Sequence, residues 1–172
     1  MNVDQDGIRR ARKSDVLWCA ELMTCSEPWI TLRRDRESSF DQLGDLFKEL
    51  YVFVDGHEHL GFVLIDMRGT FAGYIQSLCV APPFQNRRYG ATLLQFVERR
   101  IFRDYPNVFL CVSSFNREAL RFYERHGYEQ VGDLRDFIIA GASELLLRKS
   151  LGPKSTFKPA SASSQMKAST PW

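Results

Sequence analysis

The spacing of apolar positions changes several times along the chain and divides it into elements. "GIRRARKSD" reads as a short first strand over Ile8 to Ala11, followed by a helix that Ser14 or Asp15 caps and that ends near Cys25. Leu17, Ala20 and Thr24, with Trp18 and Leu22, form an imperfect apolar band on that helix. A polar link, "SEPWITLRRDRESS", carries one aromatic anchor at Trp29. Phe40, Leu43, Phe47 and Leu50 then recur at helical spacing, which predicts a helix from Ser39 to about Leu50. The period changes at Tyr51. "YVFVDGHEHLGFVLIDMRG" predicts two strands around Asp55-Gly56, joined by a longer hairpin loop, and "GYIQSLCV" adds another strand. Ala91, Leu94, Val97 and Ile101 line one face of a helix ending near Asp104. "NVFLCV" lacks polar alternation, as an interior strand covered on both faces does. Asn116 opens a further helix with Ala119, Leu120 and Tyr123 on one side and Gly127 at its stop. "YEQVGDL", "DFIIA" and "SELLLRKSL" read as closing strands.

This order predicts an α/β fold, a mixed sheet with helices on both faces. At 172 residues the chain has room for one sizeable core, assigned to residues 1–151, with a polar, lysine-containing tail over 152–172. The tail holds three lysines and no acids, so the other residues carry 20 basic and 21 acidic side chains. A nearly neutral domain gives no electrostatic footprint for nucleic acid. No apolar run approaches the roughly 20 residues of a membrane span, and the polar N-terminus lacks a secretory signal. Cys19, Cys25, Cys79 and Cys111 form no C-x-x-C pair, which suits free thiols in a reducing, cytoplasmic setting. His57 and His59 flank Glu58 in a turn and are expected to face solvent, with no metal.

The chemistry is concentrated in "VAPPFQNRRYGATLL", residues 80–94. A helix start leaves backbone N–H groups unpaired and carries partial positive charge, so it binds phosphate readily. Gly90 permits close approach of a ligand to the backbone, and Arg87 and Arg88 offer charge-assisted bonds. The stretch matches neither common nucleotide loop, and its physical features fit a solvated turn equally. It resembles, however, the acetyl-coenzyme A loop of the GCN5-related N-acetyltransferase superfamily: Gln or Arg, then x-x-Gly-x-Gly or Ala, after a strand ending in valine. Gln85 takes the first position, Gly90 the last glycine, and Ala91 opens the helix. Arg88 stands where the first loop glycine would be. Ordinary helix-start geometry, with no positive φ, is expected to accommodate it.

"CVSSFNREALRFYERHGYEQVG" resembles the superfamily's later motif through Asn116, Ala119, Tyr123, Gly127 and Tyr128. Together the two motifs resemble most closely the ribosomal-protein and N-terminal-alanine acetylating branch. The resemblance implies a twisted mixed sheet with two central parallel strands splayed apart. It implies acetyl-coenzyme A as cosubstrate and a direct attack by an amine on the thioester in a ternary complex. It further implies that Leu78, Cys79, Val80, Gln85, Asn86, Arg87, Arg88, Tyr89, Gly90, Ala91, Asn116, Ala119 and Tyr123 contact the cofactor. Leu78 to Val80 and Phe109 to Val112 would be the splayed segments, with an N–H near Cys79 or Val80 polarising the thioester.

Tyr123 would be the general acid, since a phenol with an ordinary pKa of about 10 keeps its proton at neutral pH. A half-buried tyrosine with its hydroxyl on a backbone partner is the other reading. The positions where the superfamily commonly carries a glutamate base hold Tyr74 and Cys111. Glu27, Asp66, Asp136 and His126 remain as candidates, Glu27 for its place in a substrate-side link. Trp18, Trp29 and Phe40 read equally as an apolar floor for the amine and as ordinary helix packing. The acceptor is then a protein or peptide amine, or a small amine such as a polyamine, amino acid or antibiotic. An acyl-coenzyme A-binding module without turnover is the reading outside enzymology. Monomer and homodimer are both compatible with the sequence.

Overall fold

The computed structural model of the chain describes residues 7–160. Trp172 and most of the tail lie outside these residues. Seven strands form one sheet: β1 (Ile8–Arg10), β2 (Glu49–Asp55), β3 (Glu58–Asp66), β4 (Tyr74–Val80), β5 (Asn107–Ser113), β6 (Glu129–Arg135) and β7 (Ser143–Ser150). Their order across the sheet is β1-β2-β3-β4-β5-β7-β6. Neighbours run antiparallel except β4 and β5, which run parallel. This is the mixed, helix-flanked sheet with a central parallel pair that the two motifs imply.

Alternation along the inner strands sends successive side chains to opposite faces. On β3, Val63 and Ile65 join one apolar cluster while Phe62 and Leu64 join the other. The first cluster is covered by α3 (Tyr89–Phe102), through Leu93, Leu94, Val97 and Ile101, and by α4 (Arg117–Arg125), through Tyr123. The second is covered by α1 (Lys13–Thr24), through Val16, Cys19, Ala20 and Met23, and by α2 (Arg36–Leu43), through Leu43. β3 is buried from Leu60 to Ile65 because helices cover both its faces.

Helix ends follow local chemistry. The Asp15 carboxylate reaches back to the Arg12 N–H at 2.6 Å, so α1 begins at Lys13 with Asp15 inside its first turn. Asp35 caps α2 by accepting from Ser38 N at 2.7 Å. Asn116 caps α4 by accepting from Ala119 N at 3.2 Å.

The second helix is shorter than its apolar spacing predicts. It ends at Leu43, and Gly44 and a turn in which Asp45 accepts from Phe47 N lead straight into β2, which claims Leu50. Phe40 and Phe47 are consequently exposed, at 45% and 73%. The buried side of α2 is Ser39, Gln42 and Leu43, its polar members satisfied by the Asp35 carbonyl and the Ser77 hydroxyl. Two further expectations fail, one at a tighter turn and one at a loop in place of a strand. Asp55 pairs directly with Glu58, so the β2–β3 loop is only Gly56-His57. "DFIIA" is the loop between β6 and β7, closed by Asp136 accepting from Gly141 N at 2.7 Å.

Candidate active site

β4 and β5 pair at only two positions, Tyr74 with Phe109 and Ile75 with Leu110, below a first bond from Phe109 N to Gly73 O at 3.0 Å. Beyond them the strands part. The cause lies on the other edge of β4. Ile65 pairs with Ile75 and Leu64 with Ser77, so Gln76 is an extra residue in β4. A bulge bends its strand and sharpens the local twist, which carries the end of β4 away from β5. The fork holds a cavity of about 330 Å³. Asn116, Ala119 and Tyr123 of the α4 segment line it from one face of the sheet, and Glu27, Trp29 and Arg34 of the α1–α2 link from the other.

The backbone of β4 presents donors to this fork. Ala81 N donates to Leu60 O of β3 at 2.9 Å, and Phe62 pairs with Cys79 in the same register. By the two-residue period, Cys79 turns its N–H and C=O toward β3, whereas Leu78 and Val80 turn theirs toward β5. Of the three β4 residues expected at the cofactor, Leu78 and Val80 therefore offer main-chain groups. Cys79 does not. Its thiol, pushed up to about 11 by burial, donates to Ser26 Oγ at 3.5 Å.

The loop at the head of α3 departs from expectation in an informative way. Asn86 has φ +60° and Arg88 φ +67°, with Arg87 between them on the ordinary side. Arg88 thus occupies the left-handed region that a glycine prefers, not the ordinary helix-start conformation expected for it. The superfamily's glycine position keeps its glycine-like backbone here, with an arginine side chain added. Alternating φ signs turn successive N–H groups to one side, an arrangement that makes an anion-binding concavity. The first bond of α3 is Thr92 N to Arg88 O. Among the described residues nothing accepts from the N–H groups of Tyr89, Gly90 or Ala91.

Side chains fix this loop from outside. Gln85 Nε2 donates to Val80 O at 3.0 Å, tying the loop to the end of β4. The Tyr89 ring packs edge-on against Phe53 and Phe84. Arg87 and Arg88 are exposed and pair with no carboxylate among the described residues. A Cβ added at Gly90 would lie 3.7 Å from Phe122 and Val80, an ordinary contact. The protein's own packing does not require that glycine.

Tyr123 is 8% exposed and held between the Phe122 and Tyr128 rings. No described residue bonds its hydroxyl, yet the hydroxyl is not among the buried orphaned polar atoms, so it opens to the cavity. The backbone-bonded alternative is not what the geometry provides. Burial, with a smaller contribution from Cys79, raises its pKa, so the phenol stays protonated across the physiological range. Asn116 caps α4 and lines the cavity beside Ala119.

Glu27 lies at the cavity rim, exposed, with its two oxygens accepting from Thr31 N and Thr31 Oγ at 3.3 and 3.1 Å. Trp29 is buried in the cavity wall, but Trp18 stacks on His59 and Phe40 faces outward. His59 is not a loop residue: it lies in β3, with Nε2 2.9 Å from the buried Asp15 carboxylate. Asp66 accepts from Arg68 N, Asp136 closes its hairpin loop, and His126 Nδ1 lies 2.8 Å from Phe122 O. None of these three lines the cavity. Among the described residues no group of three His, Cys, Asp or Glu is arranged to hold a metal, and no helix is long and apolar enough to cross a membrane.

The structure adds Glu144, Arg34 and Gln42, which the sequence reading did not name, to the Tyr74 and Cys111 positions that it did. Tyr74 and Cys111 both line the cavity, and burial raises both of their pKa values. Glu144 of β7 sits opposite Ser113, whose hydroxyl donates to it at 2.6 Å, and it too lines the cavity. Gln42 links Arg34 to Ser77 at the substrate-side wall. Glu144 lies outside both motifs, and only the β5–β7 pairing brings it to the site.

The fold recurs in solved structures. The ribosomal-protein-S18-alanine N-acetyltransferase from Escherichia coli superposes with TM-score 0.69 at 12% identity, over 88% of this chain and 98% of its own. Arabidopsis thaliana NAA60 in complex with a bisubstrate analogue gives 0.68 at 20% identity, over 83% and 96%. An aminoglycoside 6'-N-acetyltransferase complexed with coenzyme A gives 0.66 at 16% identity, over 85% and 97%. A search of curated proteins finds no match. A profile of the acetyltransferase (GNAT) family matches residues 16–128, from α1 through Tyr128 and so across both motifs and the fork between them, and the chain belongs to that family.

Proposed function

We propose that the chain transfers an acetyl group from acetyl-coenzyme A to the amine of a protein or peptide, by direct attack within a ternary complex. The observation that carries this reading is the conjunction of the fork with the left-handed loop at its mouth. The N–H groups from Asn86 to Ala91 suit a diphosphate, with Arg87 and Arg88 supplying charge. The unpaired main-chain edge of β4 at Leu78 and Val80 suits an extended amide arm. When bound there, acetyl-coenzyme A supplies an electrophilic thioester carbonyl and a thiolate leaving group.

The chain's own residues do the rest. The Val80 N–H, aimed into the fork, polarises a carbonyl placed beside it. Asn116 and Ala119 wall the cavity where the arm would end. The Tyr123 hydroxyl, unpaired and protonated, gives its proton to the departing sulfur. The acceptor enters from the opposite face, between the α1–α2 link and the β6–β7 loop.

The lining of that face favours a peptide over a polyamine. A polycation calls for a strongly acidic cleft, and here Glu27 and Glu144 are offset by the Arg34 guanidinium, whose buried Nε has no partner among the described residues. Phe137 and Ile138, 66% and 50% exposed, give the mouth an apolar rim suited to a side chain beside the reacting nitrogen. An α-amine, with a pKa of about 8, also surrenders its proton more readily than a lysine at about 10.4. This agrees with the branch that the motifs resemble.

Calorimetric titration with acetyl-coenzyme A, followed by thiol release across peptides, polyamines, amino acids and aminoglycosides, tests the reading. Binding with fastest release from peptides bearing free α-amines is expected. Release only with small amines moves the acceptor class, and binding without release from any amine identifies a binding module.

A further inference from the structure

We infer that Glu144, on β7, is the carboxylate that takes the proton from the acceptor amine; the inference rests on the acetyl-transfer reading. The reaction requires such a group. An amine with a pKa of about 8 to 10.4 arrives largely as its ammonium at neutral pH, and the ammonium has no lone pair to attack with.

Position selects Glu144. Val112 and Leu110 of β5 face the α3–α4 cluster, so Cys111 and Ser113 face the other way, and Glu144 is the direct partner of Ser113. Glu144 therefore lies on the acceptor's face of the fork, across the sheet from Tyr123, with both residues lining one cavity. Acid and base stand on opposite sides of the place where the new bond forms.

Its contacts leave it one oxygen to use. Oε1 accepts the Ser113 hydroxyl. Oε2 has no described partner, yet it is not among the buried orphaned oxygens although the residue is only 6% exposed. Oε2 accordingly opens to the cavity. Glu27, the other carboxylate there, is exposed and has both oxygens engaged with Thr31.

The surroundings suit a proton acceptor. From β4 and β5, Tyr74 and Cys111 face Glu144, both held neutral by burial. From β6 its direct partner is the apolar Leu134, and from the α1–α2 link Glu27 and Arg34 share the cavity. Burial raises the Glu144 pKa, against which the Ser113 bond acts. A carboxylate so shifted is a stronger base than one in water.

The protons balance. The acceptor ammonium gives one to Glu144 Oε2, and the freed lone pair forms the N–C bond at the thioester carbonyl as the C–S bond breaks. Tyr123 gives its phenolic hydrogen to the leaving sulfur. The second amine proton, shed as the amide forms, restores the phenol, and Glu144 releases its proton to solvent.

Glu144→Gln and Ser113→Ala test this. The amide keeps an oxygen for the Ser113 hydroxyl, so E144Q is expected to fold and to bind acetyl-coenzyme A with wild-type affinity by calorimetry. Its kcat should fall about 100-fold or more, with the acid limb of the pH profile lost. S113A removes a bond that favours the charged carboxylate, so its acid limb should move up by about one pH unit or more.

A third readout needs no cofactor. The folded carboxyl keeps its proton to higher pH than the unfolded one, so wild-type stability should decline relative to E144Q as pH rises above the ordinary 4.5. Turnover of E144Q within about twofold of wild type, an unmoved limb in S113A, or parallel stability curves would overturn the assignment. A wild-type chain that releases no thiol from any amine overturns the acetyl-transfer reading itself, and this inference with it.

Discussion

Gly90→Ala separates what the fold needs from what a ligand needs. Gly90 is the second residue of α3 and has an ordinary backbone, so no left-handed conformation calls for glycine. The new methyl would stand 3.7 Å from the Phe122 ring and from Val80, within normal contact distance. Glycine within a helix is worse than alanine by about 1 kcal/mol, somewhat less in a first turn. The variant should therefore be more stable by up to about 1 kcal/mol, which raises Tm by about 2–4 °C for a chain of this size. Binding should move the opposite way. A methyl beside N–H groups meant for a diphosphate holds the anion off. Losing one charge-assisted bond of about 1.5–3 kcal/mol weakens affinity by roughly tenfold to a hundredfold. Thermal melts of the free chain and calorimetric titration with coenzyme A read the two effects independently. A raised Tm with unchanged affinity would refute the argument that the glycine serves ligand approach. A lowered Tm would show that the Phe122–Val80 space is not there.

Tyr123→Phe removes a hydroxyl that no described residue bonds, so the fold should be unaffected. The turnover number should drop about 100-fold with acetyl-coenzyme A affinity retained, read by single-turnover thiol release and calorimetry, and wild-type turnover would dismiss the proton donor. Asp15→Asn strips the counter-charge from Arg9, which bonds Asp15 at 2.7 and 3.1 Å in a largely buried setting, and should destabilise by about 3–5 kcal/mol in urea titrations. Burial opposes the Asp15 charge, but the bonds from Arg9, Arg12 N and His59 prevail and hold its pKa well below the usual 3.8. The stabilisation from a depressed carboxyl is complete above 3.8 and is lost as pH falls toward the folded value, so the gap between wild type and variant should narrow from about pH 5 to pH 2; a constant gap would deny the charge its part.

Local patterns announced much of this molecule, and the failures have physical causes. β3 and β5 were legible because strands covered on both faces drop polar alternation, and α3 and α4 because each pairs a clear apolar face with a start or stop residue. The α2 region misled because Phe40 and Phe47 keep helical spacing although neither is buried. Gly44 decided the outcome, ending the helix before Phe47. His59 was misplaced by one assumption, a long hairpin loop, which moved it out of β3 and away from Asp15. At the site, Tyr123 and Asn116 were found through a motif confined to one helix. Glu144 was not, since its relevance comes from cross-strand register with Ser113, which no local window contains. Gln76 is a similar case: a bulge depends on two strands at once.

Two uneconomical features of the fold lie side by side, and that proximity is itself an argument about function. Sheet interiors leave very few main-chain groups unpaired, yet the β4–β5 ladder stops after two positions in the middle of a seven-stranded sheet. At the mouth of that opening, Arg88 is held in a left-handed conformation that disfavours a non-glycine residue by about 1–2 kcal/mol. Neither feature improves the packing of the free chain. The reserves lie elsewhere, in the two apolar clusters that sandwich β3 and in the Asp15 network. What the fork and the loop have in common is N–H groups turned toward one path, from the head of α3 down between the strands to Tyr123. A glycine at Arg88 would adopt the same backbone with less strain but would bring no charge. The arginine keeps the geometry that aims the amides and adds a cation where a diphosphate would lie, so the strain has a local electrostatic return only when an anion is bound.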